Sequence, residues 1–243
     1  MPDVVLFDLF GVIARPQSAA AKHTLTAIAD APAPAFGDVY WRLRAPYDRG
    51  QVTGTEYWHQ VAGELGTVFD EDRVTALIAA DVASWTAVDD DMVAMIEQAA
   101  ASGVRLALLS NIPEDLAAYY ERQHRRWLRH FQLIAFSCRT GLAKPDAEAY
   151  LWCCRQLDLT PDRVLFIDDR AENVHAAEHL GLHTHLFTGP AGTAQAIDAA
   201  RPLPEPGARI AAPAARPCPT DLTPGPNQTV PGPSKPAPAA LRK

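Results

Sequence analysis

The sequence predicts an α/β fold: a doubly wound parallel sheet in three layers, with a block of helices inserted after the first strand. Three observations carry this expectation. Short apolar runs alternate with helical segments from residue 88 to residue 200, the pattern of repeated βα units and of a parallel sheet covered on both faces. Reactive polar residues follow three of those runs directly, and ligands of such sheets sit beyond the carboxyl ends of the strands. Residues 17–85, in contrast, contain no strand-like run and read as successive helices.

The elements follow in order. Val4-Val5-Leu6-Phe7 is a buried strand delivering Asp8 to the sheet edge, and Gly11 allows the turn that follows. The insert is expected as helices over about 18–30, 36–48, 53–65 and 70–83; Thr53-x-x-Glu56 has the form of a capping box at the third. Residues 89–102 are a helix with Asp near its start and Gly103 at its end. A strand at 105–109 leads to a helix at 113–128 that opens with Pro113. Further strands are expected at 133–136, 164–167 and 184–187, and helices at 146–157, 171–180 and 191–200. The composition then turns to Pro, Ala and Gly. Such a segment buries too little surface to offset chain entropy, so 202–243 is expected as a disordered tail. The domain expectation is therefore a core of 1–16 and 86–201, a helical cap of 17–85, and the tail.

With 243 residues, 48% hydrophobic and 21% charged, the chain can bury a full core. Its net charge of -7 disfavours broad nucleic-acid or anionic-membrane binding, and no apolar run is long enough for a membrane span. The N-terminus lacks the basic and apolar regions of an export signal, and the four cysteines (Cys138, Cys153, Cys154, Cys218) form no framework. A cytoplasmic protein with reduced thiols is expected, Cys153 and Cys154 packing a helix. His175 and His179 share a helix face but lack a third ligand, so a solvated face is expected.

Each polar motif has an ordinary structural reading: a strand-end Asp can cap a turn, Ser-Asn is a common turn, and a loop Lys is usually a solvated charge. Their order changes the reading. Asp8-Leu9-Phe10-Gly11, then Ser110-Asn111, then Gly141-Leu142-Ala143-Lys144-Pro145, then Asp168-Asp169 resemble the haloacid dehalogenase-like (HAD) hydrolase superfamily, over residues 3–190. The resemblance implies a Rossmann-like core, and the helical insert matches the small cap of one branch. It implies Asp8 as nucleophile, Ser110 and Asn111 as phosphate-binding residues, and Lys144 as the cation that neutralises nucleophile and phosphate. It also implies that Asn173 helps hold that lysine. Two adjacent carboxylates repel without a cation, and with Asp8 they offer the oxygen ligands Mg²⁺ prefers. The resemblance makes Asp169 the direct ligand, Asp168 direct or through water, and the Phe10 carbonyl a further one. Arg170 is expected as a solvated helix-start charge.

Phe10 departs from the phosphatase branch, which carries there a second Asp that protonates the leaving group and activates water. Dehalogenases carry an aromatic residue at this place, need no Mg²⁺, and have a Ser- and Asn-rich fourth motif. The chain thus mixes a dehalogenase-like first motif with a phosphatase-like fourth. Three functions stay open: a Mg²⁺-dependent phosphohydrolase acting on a small phosphorylated molecule, a Mg²⁺-independent halide-releasing hydrolase, and a catalytically weak binding or regulatory module. In the cap, Tyr40, Trp41, Arg42, Arg44, Tyr47, Asp48, Arg49, Tyr57, Trp58 and His59 are concentrated. Trp41, Tyr57 and Trp58 are expected in the cap's own core, and others of the group in the substrate pocket. Oligomeric state is not legible.

Overall fold

The computed structural model describes residues 1–200; the expected tail at 202–243, and Cys218 within it, lie outside the described residues. The element order is β1 (Val4–Phe7), α1 (Ala19–Ala29), α2 (Ala33–Arg42), α3 (Arg44–Asp48), α4 (Gly54–Glu64), α5 (Glu71–Ser84), α6 (Asp90–Ala101), β2 (Arg105–Ser110), α7 (Glu114–Gln123), α8 (Arg125–Leu128), β3 (Phe131–Phe136), α9 (Ser137–Thr140), α10 (Ala147–Leu157), a 3-10 turn (Pro161–Arg163), β4 (Val164–Asp168), α11 (Ala171–His179), β5 (His183–Leu186) and α12 (Pro190–Ala200). The five strands form one parallel sheet in the order β3-β2-β1-β4-β5. No helix among the described residues is long and apolar enough to cross a membrane.

Strand periodicity decides the layers. Val5 and Phe7 point to one face with Leu106, Leu108, Leu165 and Ile167, where α6, α7 and α8 supply Met92, Ile96, Leu116, Tyr120 and Trp127. Val4 and Leu6 point to the other with Leu109 and Phe166, where α10 and α11 supply Tyr150, Cys153, Leu157 and Ala177. Both faces of β1 are therefore apolar, as its unbroken hydrophobic run requires. Cys153 and Cys154 are buried free thiols in this second layer.

Helices α1 to α5 pack around a core of their own, with Leu25, Phe36, Tyr40, Tyr57, Trp58, Val61, Phe69 and Leu77. Its capping box is formed: Glu56 N–H donates to the Thr53 hydroxyl at 3.2 Å, and the Glu56 carboxylate accepts from Thr53 N–H at 2.7 Å. Two expected helices are broken. The run over 36–48 divides at Leu43, because Pro46 in a continued helix has no N–H and clashes with the carbonyl of Arg42. The run over 113–128 divides at His124, and the turn carries Trp127 and Leu128 into the first core. β3 begins two residues earlier than expected, at Phe131, and its register shifts where it passes Leu106 and Ala107.

A buried polar network ties the cap to its two connections with the core. Arg44, 5% exposed, donates to Asp81 and to Tyr40 Oη at 2.7 Å each and to Asp48 at 2.8 Å. Tyr40 donates to Asp81 at 2.6 Å and accepts from Trp85 Nε1 at 3.2 Å. Gln17, on the entering chain, donates to Ser84 on the leaving chain at 2.7 Å. The Arg44 guanidinium also lies 5.1 Å from the ring centres of Tyr40 and Tyr47, a cation–π contact that strengthens when desolvated. Arg44 answers two carboxylates, so removing it strands both Asp81 and Asp48, a loss of about 3–5 kcal/mol, whereas removing Asp81 leaves Arg44 paired with Asp48. Arg44→Met is therefore expected to lower unfolding free energy by about 3 kcal/mol in urea titration, and Asp81→Ala to lose less. An Asp81→Ala variant as unstable as Arg44→Met would contradict the assignment.

Candidate active site

The site forms where β1, β2 and β4 end. β1 and β4 pair in register, Phe7 beside Ile167, so the next residues, Asp8 and Asp168, emerge side by side. Asp8 N–H extends the ladder by donating to the Ile167 carbonyl at 2.8 Å. Lys144 reaches between them: its Nζ donates to Asp8 Oδ1 at 2.5 Å and to Asp168 Oδ2 at 2.7 Å. All three side chains are buried. The lysine is held through its backbone. Asn111 Oδ1 accepts from Lys144 N–H at 2.9 Å, and Asn111 Nδ2 donates to the Lys144 carbonyl at 2.8 Å. Asn111 thus spends most of its amide on Lys144, a role the sequence did not suggest, and keeps one N–H for a ligand.

Asp168 is saturated. Its Oδ1 accepts from Arg170 N–H at 2.8 Å and from Asn173 at 3.0 Å; its Oδ2 accepts from Asn173 at 3.0 Å and from Lys144. Those four bonds use the lone pairs a carboxylate has. Asn173 therefore acts on Lys144 by way of Asp168, and Tyr150 Oη fixes its backbone by donating to the Asn173 carbonyl at 3.0 Å. Asp169 is exposed at the mouth of the site. Gly11, at φ +93°, leaves the space its carboxylate occupies: a Cβ there would lie 2.1 Å from Asp169 Oδ2. Oxygens of Asp8, Asp168 and Asp169 lie within 4.8 Å of one another, near enough to share one cation. Ser110 ends β2 fully buried; its hydroxyl has no hydrogen-bond partner among the described residues, and it is not among the residues that line the cavity. The donor set is thus hard oxygen throughout, which fits Mg²⁺.

The opposite wall is aromatic. Phe10 meets Trp85 and Tyr120 edge to face, ring centres 5.1 and 5.8 Å apart. Phe10, Trp85, Trp41 and Leu116 line a cavity of about 220 Å³ over the carboxylates, which the cap enters through Arg44 and Asp48. Trp41 does not pack the cap core as expected. It is 52% exposed and stands against Trp85, whereas Tyr57 and Trp58 are in that core. Arg170 is exposed and pairs with Glu172 at 2.5 Å. His179 Nδ1 meets the His175 carbonyl at 2.6 Å, and neither ring joins a ligand cluster among the described residues. The cap is pinned beside the site. Tyr47 donates to Asp115 at 2.7 Å, Arg49 to Asp146 at 2.7 Å, and the Ser137 hydroxyl to the Asp48 carbonyl. Gly50 passes so close to the core that a Cβ would lie 2.3 Å from the Cys138 carbonyl oxygen.

Charge follows the geometry. Burial pushes the Asp8 carboxyl up, to about 7, with Asp168 and Asp169 adding to the rise and Lys144 opposing it. Burial works against the Lys144 ammonium, but Asp8 and Asp168 outweigh it and hold its pKa above the usual lysine value. Asp169 is also raised, by burial and then by Asp168.

A model of the haloacid dehalogenase-like hydrolase family matches residues 2–181. The chain belongs to that family. It is 28% identical to the sesquiterpene phosphatase astK of Aspergillus oryzae over 139 residues, which are 56% of this chain and 67% of that one. A HAD family enzyme of Bacteroides thetaiotaomicron, solved with magnesium and inorganic phosphate, superposes with a TM-score of 0.63 at 17% identity, covering 76% of this chain and 93% of its own. The L-2-haloacid dehalogenase of Xanthobacter autotrophicus, with chloropropionic acid covalently bound, reaches 0.56 at 17% identity and 76% of each chain. The two structures share the fold, and both chemistries occur on it.

The raised pKa of Asp8 has a consequence for stability. The folded chain keeps this proton to higher pH than the unfolded chain does, so stability present below about 4 declines as pH rises through about 7. Asp8→Asn, tested without divalent metal, is expected to raise the melting temperature by about 4–8 °C at pH 8 and little at pH 4.5. Differential scanning calorimetry at the two pH values checks this; equal shifts at both would contradict it.

Proposed function

We propose that the chain is a Mg²⁺-dependent phosphohydrolase that works through an aspartyl-phosphate on Asp8, for substrates whose leaving oxygen needs no proton. The observation that carries the reading is the convergence of Asp8, Asp168 and Asp169 around Lys144. One ammonium leaves two negative charges unmatched, and a divalent cation balances them. The relative named a phosphatase and the neighbour solved with magnesium and phosphate support the same reading. A halide-releasing hydrolase has the aromatic Phe10 in its favour, but it gives the carboxylate pair nothing to bind.

Asp8, Asp169 and the Phe10 carbonyl would hold the ion, with Asp168, its lone pairs committed to Lys144, Asn173 and the Arg170 N–H, contributing charge alone. Bound Mg²⁺ supplies charge neutralisation at the phosphoryl group. The Asp8 oxygen attacks phosphorus, the bond from phosphorus to the leaving oxygen breaks, and its electron pair departs on that oxygen. Lys144 lowers the repulsion between the two anions, while the Ser110 hydroxyl and the free Asn111 N–H donate to phosphoryl oxygens. Water then attacks phosphorus, releases inorganic phosphate and restores Asp8, its proton passing to solvent. Phe10 donates no proton, so acyl phosphates and diphosphates, which leave as stabilised anions, are the favoured class.

Two experiments test this. Mg²⁺ is expected to raise the melting temperature of the wild type, and Asp169→Asn or Gly11→Ala, which crowds Asp169, to weaken that response at least tenfold in concentration. Asp8→Asn keeps its fold, loses turnover, and no longer binds beryllofluoride. A clean Asp8→Asn preparation that retained activity would remove Asp8 from the mechanism.

Phe10→Asp restores a carboxylic acid to the cavity wall. It is expected to raise alkyl-phosphate turnover by about 10²-fold and acyl-phosphate turnover much less. Because Phe10 packs on Trp85 and Tyr120, circular dichroism first establishes that the variant is folded. A folded variant that gains nothing on alkyl phosphates, or a wild type that cleaves both classes equally, rejects the missing-acid account and turns attention to Asp48, the cap carboxylate in the cavity.

A further inference from the structure

We infer that an apolar groove between α1 and α2 of the cap binds the hydrocarbon chain of an amphiphilic substrate whose phosphoryl group lies at Asp8. This rests on the phosphohydrolase reading above. The groove holds about 410 Å³ and runs past Leu25, Phe36, Gly37, Tyr40 and Trp41. It shares one lining residue with the catalytic cavity. Trp41 lines both, and Pro16 and Gln17, neighbours in the chain, line one each. Trp41 thus borders both, with half its surface in water.

Size and chemistry select the occupant. The catalytic cavity, about 220 Å³, falls below the range of about 300–1,000 Å³ for small-molecule sites; a polar recess sharing Arg44, Asp48, Asn111, Lys144 and Arg170 adds to it, and the groove offers apolar volume past Trp41. The cavity wall mixes apolar Phe10, Trp85 and Leu116 with polar Arg44, Asp48 and Asn111, whereas the groove is walled by Leu25, Phe36 and the rings of Tyr40 and Trp41, the Tyr40 hydroxyl being already given to Asp81. Sugar hydroxyls placed in the groove would lose water for few partners, which costs free energy, whereas an aliphatic or isoprenoid chain loses nothing. Lys22 and His23 stand exposed on the rim, leaving the interior apolar. Gly37 opens the floor: a Cβ built on it meets no atom within 4 Å.

A series of monoalkyl diphosphates from methyl to decyl, each below its micelle concentration, provides the test. Each fully buried methylene is worth about fourfold in binding, so wild-type kcat/KM is expected to rise at least ~10-fold along the series even with partial burial. Gly37→Phe fills the groove and brings the decyl-to-methyl ratio toward one; Gly37→Ala, a milder change in the same helix, keeps the ratio. Calorimetric binding of decyl and methyl phosphate to Asp8→Asn, with and without Gly37→Phe, reads the same preference without turnover. A flat chain-length profile with decyl binding untouched by Gly37→Phe overturns the groove and leaves the phosphohydrolase reading standing. Absence of turnover on every member overturns that reading, and calorimetry alone then decides the groove.

Discussion

The buried contact of Lys144 with Asp8 and Asp168 is the interaction on which the rest of the site depends. Placing an ammonium and two carboxylates out of water is costly unless each is matched in charge and saturated in hydrogen bonds. Much of the surrounding structure meets that demand. Asn111 fixes the lysine backbone, Asn173 and the Arg170 N–H complete Asp168, and Tyr150 fixes Asn173 in turn. The residual imbalance, two carboxylates beyond what one lysine neutralises, is the charge that the proposed cation would offset.

The sheet makes this arrangement possible without a costly loop. β1 lies between β2 and β4, so three strand ends converge, and parallel pairing brings Asp8 and Asp168 out at the same level. Gly11 then turns the chain away beneath Asp169, the one place where a side chain would collide with the carboxylate. Burial of β1 on both faces holds these ends rigidly, which is what positioning of a nucleophile demands.

The cap supplies a second buried ion network, centred on Arg44, and a second apolar core. Its polar network joins Gln17 to Ser84 and Trp85, so the entering and leaving chains are locked to each other. Trp85 also touches Phe10 and Trp41. The aromatic wall of the cavity is thus continuous with the cap, and Phe10 is a packing element of both.

What the sequence by itself determined is the α/β class, the approximate strand positions and the family to which the polar motifs point. Local hydrophobic periodicity and residue chemistry report those directly: Val4–Phe7 reads as a buried strand wherever it sits, and Asp8, Ser110 and Asp168-Asp169 each fall at the end of such a run. The helix breaks at Leu43 and His124 were hidden for different reasons. The first follows from Pro46 and was readable in principle; the second serves the burial of Trp127, which depends on residues distant in the chain. Tertiary structure alone decided that Asn111 holds the Lys144 backbone, that Asn173 reaches the lysine through Asp168, and that Trp41 faces the cavities while Trp58 is buried. These are choices among side chains of equal local propensity, and only the long-range packing of the sheet edge and cap separates them.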